Sequence, residues 1–430
     1  MAADGSEAAA LGETMHAMVR ALYPLCRSIT GDGVRETLRM LSAVHPIVQR
    51  EVPSGTQAFD WEAPKEWVIR DAWIAGPDGR RIVDFRAHNL HVMNYSVPVR
   101  GQFSLEALRP HLFSLPDRPT LIPYRTSYWS PNWGFCLPHS LLETLPEQTY
   151  EVVIDSELKD GAVTLGEIVL PGESADEIIV STHTCHPSLA NDNLSGLVVS
   201  AHLAAAFARG PRRHTFRFLY GPGTIGSILW LALNEAHTRH VRHGLVLTGM
   251  GDDGPLVYKR SRLGDKLVDR VAARVVGEAG GRVIDYYPYG YDERQFCSPG
   301  FDLAVGRLSR TPHGEYPEYH TSGDTPEFVK PAALAASFEA ARTILETLDR
   351  DRVVVSTNPK GEPRLGKRGL YRQVAGQASA RPDEMALLWV LAYADGVHSL
   401  HDIAARAGWP FARIEAAASV LERHGLVRAP

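Results

Sequence analysis

Cysteine is scarce in this chain, and the four that occur (Cys26, Cys136, Cys185, Cys297) lie far apart with no CxxC pair. That spacing excludes a disulfide framework or a thiolate zinc knuckle as the organising device. Long apolar runs are also missing: no stretch approaches the ~18 uninterrupted apolar residues of a membrane-spanning helix. Nor is there an excess of positive charge, since 45 Lys and Arg face 50 Asp and Glu for a net charge of -5. Binding to nucleic acid through bulk electrostatics is therefore not expected. The opening MAADGSEAAALGE carries acids and no basic leader, so it reads as a frayed terminus and not as a signal peptide. Few cysteines and no secretion signal make the cytoplasm the expected compartment.

What is present is ordinary globular material: 430 residues, 44% hydrophobic and 22% charged, with 18 histidines. The length suggests two or three domains. Residues 14–45 read as helical, TMHAMVRALYPLCRSIT broken at Gly31–Gly33 and resumed by VRETLRMLSAV. From 50 to 165, short alternating runs such as WVIRDAWIA and YEVVIDSEL are punctuated by Gly, Pro, Asp and Asn. That is the pattern of a β-rich module, inserted after the N-terminal helices. Its loop TSYWSPNWGFC (126–136) is either core filling or a lid over a neighbouring cleft.

Strands and helices then alternate. DEIIVSTH is an apolar run suited to a strand buried on both faces, and NLSGLVVSAHLAAAFARG is a helix stopped at Gly210–Pro211. HTFRFLYGP, TIGSILWLALNEAH, HGLVLTGMG, RLGDKLVDRVAARVVGEAG, FDLAVGRLS and PAALAASFEAARTILETLD continue the alternation. The expected fold is α/β, a mostly parallel mixed sheet flanked by helices, with ligands at the carboxyl ends of the strands. Segments 1–49 and 166–352 form this domain, 50–165 the insert and 353–380 a Pro-, Gly- and Lys-rich linker. Residues 381–430 have the outline of a winged helix. Its presumed recognition helix mixes Arg413, Glu415, Glu422 and Arg423, so a protein contact suits it better than DNA.

Three segments leave the sheet where the cleft is expected. STHTCHPSLANDNLSG (181–196) brings His183, His186 and Asp192; MGDDGP (250–255) brings Asp252 and Asp253; PHGEYPEYHTSGDTPEF (312–328) brings His320 and Asp324. Imidazole with carboxylate is the usual zinc donor set where thiolates are lacking. Acid pairs at strand ends also serve as helix caps, so either role is open to Asp252 and Asp253.

These strings resemble a known group. HTCHPSLANDNLSG, GDDGPLVYKRSR and EYHTSGDT are similar to the metal motifs of the zinc aminopeptidase and glutaminyl cyclase clan. LGKRGLYR and LLWVLAYADGVHSLHDIA resemble the tail of bacterial aminopeptidase-like proteins with an inserted β domain and a C-terminal winged helix. The resemblance implies His186, Asp192, Asp252 and His320 as metal ligands, with His183 the rival to His186, and zinc as the ion. It implies that Asp292, Arg294 and Tyr319 face the substrate. The glutamate that serves such enzymes as general base is replaced by Gly223 in LYGPGTIGSIL, and the following acid ligand by Thr224, which points to one ion and not two. A positioned base contributes ~10²–10⁴-fold, so the loss matters. Glu293 is the tentative substitute, with Glu315 and Glu318 also near in sequence. The expected activity is metal-dependent chemistry on an amide or related bond of a small amino-acid or peptide-like metabolite. The alternative is a non-catalytic scaffold that keeps the fold. No membrane partner is expected, and the insert and winged helix both offer surfaces for a homo-oligomer.

Overall fold

The computed structural model describes residues 5–370 and 382–430. It divides into two compact units, Met1–Thr343 and Ile344–Pro430.

In the first unit the strands are β1 (Val48–Pro53), β2 (Glu66–Ala75), β3 (Arg81–Asp84), β4 (Val99–Ser104), β5 (Thr149–Lys159), β6 (Ala162–Leu170), β7 (Glu177–His183), β8 (Thr215–Gly221), β9 (Val241–Leu247), β10 (Val257–Lys259), β11 (Arg282–Ile284) and β12 (Val305–Ser309). The longer helices are α1 (Gly5–Leu22), α2 (Asp32–Leu41), α3 (Gly196–Phe207), α4 (Ile225–Leu233) and α5 (Leu267–Glu278), and α6 (Pro331–Arg350) begins in this unit and ends in the second. An eight-stranded sheet runs in the order β1-β6-β8-β7-β9-β12-β10-β11. Its central strands β8, β7, β9 and β12 are parallel, so their carboxyl ends share one edge.

Local sequence explains the layering. Every residue of β7 is buried, because helices and the insert leave neither face to water. The helices α3 and α4 are apolar nearly all round and almost wholly buried. By contrast α2 buries only Val34, Thr37, Leu38 and Leu41, one stripe at helical spacing. The insert is a four-stranded sheet, β3-β2-β5-β4. Its Trp67, Val152 and Ile154 belong to the same apolar core as Ile179, Val246 and Val305 of the main sheet.

Two boundaries differ from expectation. Residues read as a frayed terminus are helical from Gly5, since the Ala-rich start favours helix and Gly12 is closely approached by Pro331. Strands β1 and β6 are the outer strands of the main sheet on one side, which leaves about 54–161 as the insert itself.

The second unit contains β13 (Val353–Ser356), α7 (Pro382–Tyr393), β14 (Asp395–Ser399), α8 (Leu400–Ala407), α9 (Phe411–Arg423) and β15 (Val427–Arg428). Strand β13 lies between β14 and β15 in the wing, so the segment expected as a linker supplies a strand. Residues 371–380 of that segment lie outside the described residues, and with them Tyr371 and Arg372 of the LGKRGLYR match. A capping box between Ser399 and Asp402 starts α8. On α9, Glu415 pairs with Arg350 and Glu422 with Arg352.

Among the described residues no helix is long and apolar enough to cross a membrane.

Candidate metal centre

The parallel strands deliver the polar residues to one edge. Strand β7 ends on His183, and the chain then turns irregularly through His186 before Ala190–Ser195 leads into α3. His320 arrives on the loop after β12. Two of these histidines have positive φ, 91° at His186 and 54° at His320. Residues with a Cβ rarely adopt that conformation, and where they do the surroundings hold them there, most often at a functional site.

The side chains converge. His183 Nε2 lies 2.7 Å from Asp192 Oδ1, and His320 Nε2 lies 3.0 Å from Asp192 Oδ2. The His186 ring stands 5.3 Å from that of His183 and 5.0 Å from that of His320. Ligand atoms of His183, His186 and Asp192 all fall within 4.8 Å of one another. Burial alone would raise the Asp192 pKa, but the imidazoles of His186, His183 and His320 outweigh it and hold the carboxyl well below its usual range. Burial drives His186 down to about 3, so its ring is neutral with a lone pair to give. Its Nδ1 is buried and unpartnered, which in a native interior calls for a reason.

This donor set fits a zinc ion. Two ligands held ~2.0–2.1 Å from one tetrahedral ion stand about 3.3 Å apart. The pairs at 2.7 and 3.0 Å are thus shorter than that separation by about 0.6 and about 0.3 Å.

Surrounding residues fix the ligands. Asp324 accepts the backbone N–H groups of Asn191 (2.6 Å) and Asp192 (2.9 Å), and burial pushes its carboxyl up to about 7. Asn193 donates to Thr182 Oγ1 at 2.8 Å and accepts from the Gly249 N–H at 3.2 Å, tying the loop to two strand ends. Aromatic rings wall the site. Tyr124 meets His186 and His320 edge-on, each at 5.0 Å; Tyr291 stacks on His183 at 5.0 Å; Tyr319 stacks on His320 at 3.9 Å. In the 126–136 loop, Tyr128 bonds Tyr124 through their hydroxyls and Trp133 stacks on His111, while Trp129 is half exposed. Only its end, Gly134–Cys136, is buried, Thr126 and Trp129–Asn132 are exposed, and the ring over the cluster is Tyr124, just ahead of the loop.

Asp252 is not brought into the cluster. Its carboxylate accepts from Asn191 Nδ2 (3.0 Å), Thr311 Oγ1 (2.6 Å) and the Gly254 N–H (2.8 Å), so it braces the loops from behind. His183 and His186, weighed as rivals, both stand at the site. Sequence reasoning missed the bracing by Asn191, Asn193 and Asp324. The only signal was their closeness in the chain to His183, Asp192 and His320.

The turn after β8 carries no carboxylate. A Cβ on Gly223 would meet His183 Cβ at 3.2 Å and Asp292 Oδ1 at 3.6 Å. Asp292 is buried there, accepts from Ser227 Oγ at 3.0 Å, and is pushed by burial up to about 6. Thr224 stands at the start of α4 and Ser227 one turn into it. Glu293 points elsewhere: it is fully buried against Lys259 at 2.9 Å, within 4.0 Å of Arg307, and accepts the Tyr291 N–H at 3.1 Å. Glu315 is exposed and pairs with Arg282. Arg294 lies 6.0 Å over the Tyr289 ring, with its Nε buried and unpartnered.

The profile of a family described as a domain of unknown function (DUF4910) matches residues 16–351, and that of a winged helix-turn-helix matches 352–429. A protein of Clostridium acetobutylicum is 43% identical over 419 residues, 97% of this chain and 96% of that protein. It is provisionally named a polysaccharide biosynthesis protein with aminopeptidase-like domain. The crystal structure of a provisionally assigned peptidase from the same organism has a TM-score of 0.91 at 42% identity, covering 98% of this chain and 97% of that one. A zinc aminopeptidase of Bacillus subtilis is similar in fold, with a TM-score of 0.58 at 13% identity, covering 78% of this chain and 94% of that one.

Proposed function

Because the chain belongs to the DUF4910 family and carries the zinc aminopeptidase fold with a C-terminal winged helix, we propose that it is a metal-dependent enzyme. The reaction is hydrolysis of an amide, or transfer of an acyl group, on a small amino-acid-like or peptide-like metabolite. The name given to the Clostridium relative supports a biosynthetic metabolite over a digested protein. The observation that carries the proposal is Asp292, a buried carboxylate beside His183 at the turn where the usual glutamate is Gly223.

His183, His186, Asp192 and His320 would hold the ion. Zinc bound by such groups supplies Lewis acidity toward an acyl oxygen and toward water. The rest falls to the chain. Asp292 Oδ1, fixed by the Ser227 hydroxyl, takes a proton from the attacking nucleophile and returns it to the departing amine. A carboxyl raised to about 6 is well matched to that double role near neutral pH. Tyr124, Tyr291 and Tyr319 exclude water from the ligand shell, and this lowers the local dielectric and strengthens each charge interaction. One ion is favoured over two, because Thr224 offers no second carboxylate. The balanced, paired charges of α9 favour a protein contact, including self-association, over DNA for the second unit.

The experiment measures zinc content and turnover of amino-acid anilides and short N-acyl amino acids, with wild type beside Asp292→Asn. Expected is stoichiometric zinc in both and turnover in wild type alone. Zinc binding with no turnover, and turnover gained on Gly223→Glu, would instead establish a scaffold that has lost its base.

A further inference from the structure

Next to the proposed active site lies a charge cluster that does not balance. Lys259, Glu293 and Arg307 each have fully buried side chains. Glu293 is the one carboxylate these two cations share among the described residues, so the cluster keeps a net positive charge. Gly290 is needed for its assembly: a Cβ there would stand 2.2 Å from Glu293 Oε1 and 2.9 Å from Lys259 Nζ. Lys259 satisfies itself further on the Tyr289 carbonyl at 2.9 Å. Arg307 does not. Its Nη1 donates to His313 Nδ1 at 3.3 Å and approaches Glu293 at 4.0 Å, while Nε and Nη2 are buried with no partner. A buried ion left without hydrogen bonds is costly, and native interiors retain one only for a reason.

The free atoms form one edge of the guanidinium, the edge that reads a carboxylate with two parallel N–H bonds. This chain uses it so elsewhere. Arg217 gives Nε and Nη2 to Glu177, each at 2.8 Å, and Arg35 gives the same pair to Glu51 at 3.0 and 3.3 Å. Arg307 keeps the same two N–H groups buried and without a hydrogen-bond partner. The fork is also near the chemistry. The Tyr291 ring has the Arg307 guanidinium 5.6 Å from its centroid and the His183 ring stacked at 5.0 Å. His313 touches Tyr291 at 5.2 Å and Tyr319 at 6.2 Å.

The geometry points to Arg307 as the anchor for a carboxylate of the substrate, one aromatic ring away from the metal ligands. Resting on the function proposed above, this narrows the substrate class to amides that carry a free carboxylate a few bonds from the reacting carbonyl, such as N-acyl amino acids. The charge of Arg307 is then neutralised only when substrate is bound, and a neutral amide gains nothing from it.

The test is calorimetric titration of the full chain, stripped of metal with a chelator, with N-acetyl-L-alanine and with N-acetyl-L-alaninamide. The two differ only in carboxylate against amide, and removal of metal prevents the acid from binding there. Wild type is expected to prefer the acid by at least tenfold. Arg307→Met is expected to lose that preference while melting no lower than wild type, because it removes the excess cation and leaves Lys259 and Glu293 as a balanced pair. Arg307→Lys keeps the charge without the fork and is expected to lose most of the preference, a comparison that holds even where the Met variant fails to fold. Equal binding of the two probes by wild type, an unchanged preference in the Lys variant, or tighter binding of inorganic phosphate than of the acid would overturn the assignment. No turnover is measured, so a failed enzyme assay with an intact preference would count against the catalytic reading and not this one.

Discussion

Asp292 Oδ1 stands 3.6 Å from the point that a Cβ on Gly223 would occupy. The turn at Gly223 carries no carboxylate of its own, and one from a remote part of the chain reaches that place.

The first expected outcome concerns that exchange. Asp292→Asn should lower kcat by about 10²–10⁴-fold with zinc content unchanged. Gly223→Glu in the Asp292→Asn background should recover at least ~10-fold of it, since one well-placed carboxylate suffices for the proton transfer. Steady-state kinetics with parallel metal analysis read both.

Metal affinity distinguishes ligand from brace. Removing the imidazole in His183→Ala, His186→Ala or His320→Ala should abolish stoichiometric zinc in equilibrium dialysis. Asp252→Asn should retain it, because that carboxylate is occupied by Asn191, Thr311 and Gly254. Asp324→Asn should weaken zinc binding by roughly 10–100-fold, as loss of a group that orients a ligand does.

Glu293→Gln should behave as a stability variant. It leaves Lys259 and Arg307 buried without their shared anion, a defect worth about 3–5 kcal/mol. Chemical denaturation should show that loss, whereas Asp292→Asn should fall within about 1.5 kcal/mol of wild type because Ser227 can still bond the amide oxygen.

In the second unit, burial pushes Asp351 up to about 6, with the His401 and Arg352 N–H groups and Ser399 opposing and Asp402 adding to the rise. The unfolded chain titrates at about 3.9. Between those values the folded state keeps a proton that the unfolded state has released, so stability falls as pH rises from about 4 to about 6 and is level above. The two-unit gap amounts to roughly 3 kcal/mol. Asp351→Asn should remove the slope while still accepting the His401 N–H. Hydrogen exchange of the α9 amides in the full chain measures it.

Much of this was legible beforehand, and for identifiable reasons. The all-buried run EIIVSTH and the apolar helices after it follow one-dimensional patterns, so the parallel sheet and the edge that gathers the histidines could be read directly. His183, His186, Asp192 and His320 sit on loops that the topology forces together. What could not be read was direction. Asp292 and Glu293 are neighbours in the chain, yet one faces Gly223 and the other Lys259, and the short helical turn from Glu293 to Phe296 decides which. Asp252 ends its strand as a ligand would, and only the positions of Asn191 and Thr311 show it engaged elsewhere. The strand Val353–Ser356 was hidden because its pairing partners lie some forty and seventy residues on.

The backbone N–H of Tyr124 donates to the carbonyl of His320 at 2.8 Å, and Ser322 N–H donates to Ile122 at 2.8 Å. The inserted module is therefore strapped to the very loop that offers the last imidazole. It cannot swing outward without dragging that histidine along, so undocking of the module and release of the ion should occur as one event, with a single rate for both.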